Sequence, residues 1–162
     1  MEVTSARGVG TTVDVWLPAA AEAPSVAGLP EEQHDEAART VLVIDDEDAV
    51  RTVAQRMLER LGLRVVTAAD GAAALATLAS LAADISTVFV DLTMPTMSGA
   101  AVTREILVRY PHLHVVVMSG YSADEVERQL GPLALAGKLQ KPFTLHALRA
   151  CLAALAPAEA LA

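Results

Sequence analysis

The sequence predicts an α/β domain of (βα)5 type, in which five parallel strands form a doubly wound sheet with helices on both faces. Two observations predict this architecture. Short apolar runs, such as residues 41–44 and 115–118, are typical of strands that are covered on both faces. Between these runs lie segments with apolar residues at helical spacing, so that strand and helix patterns alternate from residue 40 onward.

The first strand of this pattern, residues 41–44, leads into a helix for which we predict Asp48 as the N-cap and Gly62 as the stop. Val50, Val53 and Met57 lie at helical spacing between these two signals. The remaining elements follow in the same alternation: strand 64–68, helix 72–81, strand 87–90, helix 99–109, strand 115–118, helix 123–130, strand 138–140 and helix 145–155.

The first 38 residues follow a different pattern. Residues 1–18 contain two extended patches around a glycine-containing turn, with Val13, Val15 and Leu17 on one face, which predicts a β-hairpin or its second half. Residues 19–38 combine prolines with small and acidic residues and have no apolar period, which predicts a linker. We therefore expect a hairpin over 1–18, a linker over 19–38, an α/β domain over 39–157 and a short tail over 158–162.

Composition excludes several classes of function. The net charge of −8 and the absence of a basic run argue against a nucleic-acid partner, because Lys and Arg contacts to phosphates dominate that affinity. Cys151 is the single cysteine, so the chain has no internal disulfide and no cysteine-based metal site. No apolar run approaches the roughly 18 to 20 residues that cross a bilayer, and we expect a cytoplasmic chain that does not insert into a membrane.

Acidic, hydroxyl and basic side chains follow the predicted strands at the points where the strands end. Doubly wound sheets bind ligands at this edge, and its residues are Asp45, Asp46, Asp91, Ser119 and Lys141. Carboxylates that converge repel one another unless a cation lies among them, and Mg²⁺ prefers such oxygen ligands. We expect Asp46, Asp91 and a backbone carbonyl to hold Mg²⁺, with Asp45 close by.

A phosphoryl group fits the same edge. Lys141 would place an ammonium opposite the metal, and the hydroxyl of Ser119 offers a hydrogen-bond donor to a phosphate oxygen. Asp91 is the expected nucleophile, because it follows a central strand between the acid pair and the Ser119 and Lys141 side chains. Its attack on a phosphoryl donor would give an acyl phosphate.

Four motifs, VLVIDDE, VFVDLTMPTMSG, VVVMSG and LQKPF, occur in the order and spacing of response regulator receiver domains, and residues 40–155 resemble that family. The resemblance implies a flavodoxin-like fold with strand order 2-1-3-4-5. It implies a role for each site residue: Asp91 as the phosphoacceptor, Asp45, Asp46, Asp91 and the Thr93 backbone carbonyl as Mg²⁺ ligands, and Ser119 and Lys141 as the hydroxyl and ammonium beside the phosphoryl group. Mn²⁺ is the alternative ion, and the Lys141-Pro142 bond is expected to be cis.

The segment SARGVGTTVDVWLP, within residues 1–18, is similar to the last strands of a histidine kinase ATP-binding domain. Together the two resemblances imply the C-terminal part of a hybrid sensor histidine kinase. The chain itself is not expected to be a kinase, because the nucleotide-binding elements that precede such a hairpin are absent. Its expected partner is a histidine kinase or a histidine phosphotransfer domain, and the signal is expected to leave by protein contact. A homodimer and a membrane-attached parent protein are left open.

Position 138 departs from the family's pattern. Many receivers carry Phe or Tyr three residues before the site lysine, and this chain has Lys138 there. Two interpretations remain open: Lys138 protects an edge strand from pairing, or the output face differs from that of other receivers. Tyr121, two residues after Ser119, is the candidate replacement for the missing ring.

Two other classes of function are compatible with parts of this pattern. A phosphohydrolase of the haloacid dehalogenase type also places an Asp nucleophile after its first strand, but it expects a second Asp two residues later, where this chain has Glu47. A scaffold that works without phosphate is the other alternative, and the five site residues argue against it.

Overall fold

The computed structural model describes residues 2–6, 8, 10–14, 39–95 and 97–155. The chain divides into two units, Met1–Gln33 and His34–Ala162. In the first unit, strands β1 (Glu2–Ala6) and β2 (Gly10–Asp14) pair antiparallel, with Glu2 opposite Asp14 and Ala6 opposite Gly10. β1 and β2 therefore pair as a hairpin, while the predicted bounds of 1–18 stay a prediction. Val15, Leu17, the predicted linker and the predicted tail lie outside the described residues.

The second unit contains a parallel sheet of five strands: β3 (Thr40–Ile44), β4 (Arg64–Ala68), β5 (Ile85–Asp91), β6 (His114–Ser119) and β7 (Gly137–Gln140). Their spatial order is β4-β3-β5-β6-β7. Counted from the first strand of this sheet, that order is 2-1-3-4-5, and the predicted fold class is confirmed. All five strands run in one direction, so their carboxyl ends meet at one edge.

Five helices connect and cover these strands: α1 (Asp48–Glu59), α2 (Gly71–Leu81), α3 (Gly99–Arg109), α4 (Ala123–Leu130) and α5 (Leu145–Leu155). Alternate residues of each strand point to opposite faces. On one face Val43 and Phe89 pack with Leu58 of α1 and Leu148 of α5. On the other face, Val88 of β5 packs with residues of α2 and α3, and α4 packs beside them. None of the helices within the described residues is long and apolar enough to cross a membrane.

One predicted cap is wrong. Asp48 is the first residue of α1, and the N-cap is Glu47, which makes no capping hydrogen bond through its side chain. The reason is local competition: the Glu47 backbone N–H donates to Asp45 Oδ1 at 2.9 Å, and the carboxylate of Asp48 pairs with Arg51. The predicted stop at Gly62 fits, since its φ of 80° is in the left-handed region that glycine adopts at little cost.

The third strand of the sheet, β5, begins two residues earlier than predicted. Ile85 pairs with Thr40, and the register then shifts between Thr40 and Val41. The Ser86 hydroxyl donates to the Thr40 carbonyl at 3.2 Å. This hydrogen bond helps a polar residue join the sheet at a position that an apolar pattern does not reveal.

Thr103 of α3 carries a buried hydroxyl that has no hydrogen-bond partner among the described residues. A buried polar group without a partner loses its hydrogen bonds to water and gains nothing in return. The unpaired hydroxyl of Thr103 therefore lowers the free energy of unfolding.

We expect Thr103→Val to raise the free energy of unfolding by about 1 kcal/mol, because valine keeps the shape and removes the unpaired hydroxyl. Urea denaturation measures this change. The same substitution at exposed Thr52 of α1, where water solvates the hydroxyl, is the matched control and should not stabilise the protein. Destabilisation by Thr103→Val would show that the hydroxyl has a partner in solution.

Candidate functional site

The ammonium of Lys141 bridges two buried carboxylates at the carboxyl edge of the sheet. Its Nζ lies 2.7 Å from Asp45 Oδ2 and 3.1 Å from Asp91 Oδ2. Asp45 is fully buried and Asp91 is 4% exposed. Burial by itself lowers the pKa of Lys141, but the hydrogen bonds to Asp45 and Asp91 outweigh it and raise that pKa above its ordinary value. Lys141 is therefore a cation at neutral pH.

Backbone N–H groups hold the other oxygens of the same carboxylates. Glu47 N–H donates to Asp45 Oδ1, and Thr93 N–H donates to Asp91 Oδ1 at 3.2 Å. In both cases the donor lies two residues after the acid, where the chain turns away from its strand. These bonds fix the direction in which each carboxylate points.

Asp46 completes a cluster of three acids. One carboxylate oxygen from each of Asp45, Asp46 and Asp91 lies within 4.8 Å of the others, and Asp46 is exposed while its two neighbours are buried. Oxygen ligands at this spacing fit one hard divalent cation, which takes carboxylates together with water or phosphate oxygens. The structure thus brings together the three carboxylates that the sequence predicts as metal ligands. The role of the Thr93 carbonyl stays a prediction.

Ser119 and Lys141 lie side by side at the ends of β6 and β7. The backbone N–H of Lys141 donates to the Ser119 carbonyl at 2.8 Å, and the Tyr121 N–H donates to Ser119 Oγ at 3.0 Å. Ser119 is 2% exposed. The Lys141-Pro142 peptide bond is cis, as predicted.

Two residues that support the site are not among those predicted from the sequence. A Cβ on Gly99 would lie 1.9 Å from the Asp91 carbonyl oxygen, so only glycine allows α3 to start against the backbone of Asp91. Arg51 donates to the Asp45 carbonyl at 2.6 Å and also pairs with Asp48. Gly99 ends the motif VFVDLTMPTMSG, so the sequence contained a possible signal for it. Spacing alone gives no signal for Arg51.

Lys138 of β7 is exposed, and its Nζ lies 3.5 Å from Oε2 of Glu127 in α4. A cation and an ion pair therefore occupy the position where the resemblance leads one to expect an aromatic ring. Tyr121 is 42% exposed, and its substitution for that ring stays a prediction.

The family model of the response regulator receiver domain matches residues 41–153. Sensor kinase CckA of Brucella abortus is 35% identical over 150 residues, which cover 87% of this chain and 16% of CckA. Among solved structures, chemotaxis protein CheY4 of Vibrio cholerae matches with a TM-score of 0.67 and 26% identity over 73% of this chain and 98% of CheY4. Response regulator TrrA of Thermotoga maritima, solved in complex with Mg(2+)-BeF, has the same fold, with a TM-score of 0.64 and 24% identity over 73% of this chain and 99% of TrrA.

We expect Lys141→Met to lower the free energy of unfolding by about 3 kcal/mol in the presence of EDTA, because it leaves two buried carboxylates without a cation. Urea denaturation measures the loss. Lys138→Met is the matched control: it removes a partly exposed ion pair and should cost less than about 1 kcal/mol. Equal losses for the two variants would contradict a special role for the Lys141 bridge.

Proposed function

Because the chain belongs to the response regulator receiver domain family, we propose that it accepts a phosphoryl group from phosphohistidine on the carboxylate of Asp91. The observation that carries the proposal is the position of Asp91 at the carboxyl edge of the central strand, with the Lys141 ammonium 3.1 Å away. An Asp nucleophile needs such a cation, since negative charge increases at the oxygens of the transferring group.

Each residue around Asp91 has a separate role in the phosphoryl transfer. One Asp91 oxygen forms the new bond to phosphorus, the P–N bond of phosphohistidine breaks, and the released imidazole keeps the electron pair and is protonated by solvent. Lys141 neutralises charge on one phosphoryl oxygen, and the Ser119 hydroxyl donates to another. The Thr93 N–H holds the second oxygen of Asp91 and so orients the nucleophile.

Asp45, Asp46, Asp91 and the Thr93 carbonyl would hold Mg²⁺, with Mn²⁺ as the alternative ion. The oxygen-only donor set and its spacing within 4.8 Å fit such an ion, and TrrA, which has the same fold, was solved with Mg(2+)-BeF. When bound, the ion supplies positive charge to the phosphoryl oxygens. Asp45 would then contact both the ion and Lys141, which links the two positive groups of the site.

The parent protein is proposed to be a hybrid sensor histidine kinase. The match to CckA covers 87% of this chain and therefore extends beyond residues 41–153. Residues 1–18 would be the end of its ATP-binding domain, and residues 19–38 the linker to the receiver. The chain spans 16% of the length of CckA, so kinase activity and the choice between a kinase and a histidine phosphotransfer domain as donor belong to this proposal.

We expect incubation with acetyl phosphate or phosphoramidate and Mg²⁺ to add one phosphoryl mass to the intact protein. Asp91→Asn should abolish the adduct, because it removes the nucleophile, and EDTA should abolish it in the unchanged chain. Intact mass spectrometry measures both. Asp84→Asn, at an exposed position of a turn between α2 and β5, is the matched control and should retain the adduct.

The outcomes of this experiment separate the classes of function. Absence of an adduct in the unchanged, folded protein would favour a scaffold that works without phosphate. Steady release of phosphate that is lost in Asp45→Asn but kept in Asp91→Asn would favour a hydrolase of the haloacid dehalogenase type. Either result would overturn the receiver function.

The lifetime of the adduct should depend on Thr93 and Tyr121. Both side chains are exposed, and each residue's backbone N–H contacts a site residue, Asp91 or Ser119. We expect the double substitution to Ala to open the path of an attacking water and shorten the half-life about threefold or more, which is a modest change in barrier. The decay of the phosphorylated mass with time measures it. Thr52→Ala on α1 is the control, and an unchanged decay rate in the double variant would disprove this role.

A further inference from the structure

A cavity of about 230 Å³ lies at the amino-terminal edge of the sheet, at the opposite end of the strands from Asp91. Val41, Thr87 and His114 form a row across three neighbouring strands, because Val41 pairs with Thr87 and Thr87 pairs with His114. These three residues line the cavity together with Arg39, Leu63, Ser86, Leu152 and Leu155.

Thr87 contributes a polar side chain to the lining of this cavity. It is 5% exposed, and its hydroxyl makes no hydrogen bond with any described residue. The neighbouring Ser86 differs, since its hydroxyl donates to the Thr40 carbonyl. Thr87 Oγ1 is not among the fully buried atoms that lack a partner, so it is open to the solvent of the cavity, where a polar atom of a ligand would replace water.

The rest of the lining combines one positive group, Arg39, with apolar groups. Arg39 has no ion-pair partner among the described residues and is exposed, as is His114. Leu63, Leu152 and Leu155 supply apolar contacts beside them. Arg39 is a positive charge in a chain with a net charge of −8. Such a lining complements a ligand that has an anionic group and an apolar body.

We propose that this cavity binds a small aliphatic carboxylate of the size of hexanoate or octanoate. The carboxylate would accept hydrogen bonds from Arg39 and Thr87, and the hydrocarbon chain would lie against the three leucines. The volume is below the roughly 300 to 1,000 Å³ of pockets that take drug-sized ligands, which restricts the ligand to a short chain. The site is separate from the phosphoryl site and does not depend on its function.

Calorimetric titration of the full chain with octanoate, below the concentration at which it forms micelles, tests the proposal. We expect saturable binding that acetate and octan-1-ol do not reproduce, because the first lacks the apolar body and the second lacks the charge. NMR titration should place the shift changes at the Thr87 amide and the His114 ring.

Two variants test the contacts. Arg39→Gln should weaken octanoate binding about tenfold, through loss of a charge-assisted hydrogen bond, and Thr87→Val about threefold or more, through loss of the hydroxyl. Arg64→Gln is the matched control, because Arg64 is exposed at the same edge, opposite Thr40, but does not line the cavity. Arg39 is exposed, so its variant keeps the test decisive if Thr87→Val does not fold.

Three results would overturn the proposal. The first is equal binding of octanoate and octan-1-ol, which would indicate a plain apolar contact. The second is an equal loss in Arg39→Gln and Arg64→Gln, which would indicate general electrostatic attraction to this edge. The third is binding only after removal of residues 156–162, which would assign the cavity to the chain's own C-terminal residues.

Discussion

The ion pairs of Lys141 with Asp45 and Asp91 are the interaction on which the carboxyl edge of the sheet depends. They join the ends of β3, β5 and β7, and Asp45 and Lys141 are 96 residues apart in the chain. Two carboxylates with 0% and 4% exposure are tolerated next to each other because one cation contacts both and backbone N–H groups bind their remaining oxygens. The ammonium and the two carboxylates thus hold the ends of three strands together.

The strand order explains why the bridge between the carboxylates needs a side chain as long as that of lysine. β6 lies between β5 and β7, so the side chain from the end of β7 must reach past Ser119 to arrive at Asp91. The hydrogen bond from the Lys141 backbone N–H to the Ser119 carbonyl fixes the position of the Lys141 backbone, from which the side chain extends. Gly99 lies against the backbone of Asp91, because α3 begins there with no side chain between them. Lys141 and Gly99 thus both lie close to Asp91, the first at its side chain and the second at its backbone.

Helix α4, which follows Ser119 in the chain, is held by polar contacts near the surface. Its first turn has a capping box between Ser122 and Glu125, and the backbone hydrogen bond from Ser122 lowers the pKa of Glu125. Arg104 of α3 donates to two carbonyls at the end of α4, and Lys138 pairs with Glu127. Exposed contacts of this kind are individually weak. Lys138 lies where many receivers carry an aromatic ring, and its ion pair with Glu127 links β7 to α4.

Local patterns in the sequence determined the alternation of strands and helices. They also determined which residues lie at or just after the strand ends, including Asp45, Asp91 and Lys141, because apolar periodicity and chain direction are properties of neighbouring residues. Their roles in phosphoryl transfer rest on family resemblance and stay predictions. Only the tertiary structure decided that Lys141 contacts both carboxylates and that Thr87 lines a cavity with Arg39 and Leu155. These features depend on strand register and on contacts between distant segments, which no local pattern records.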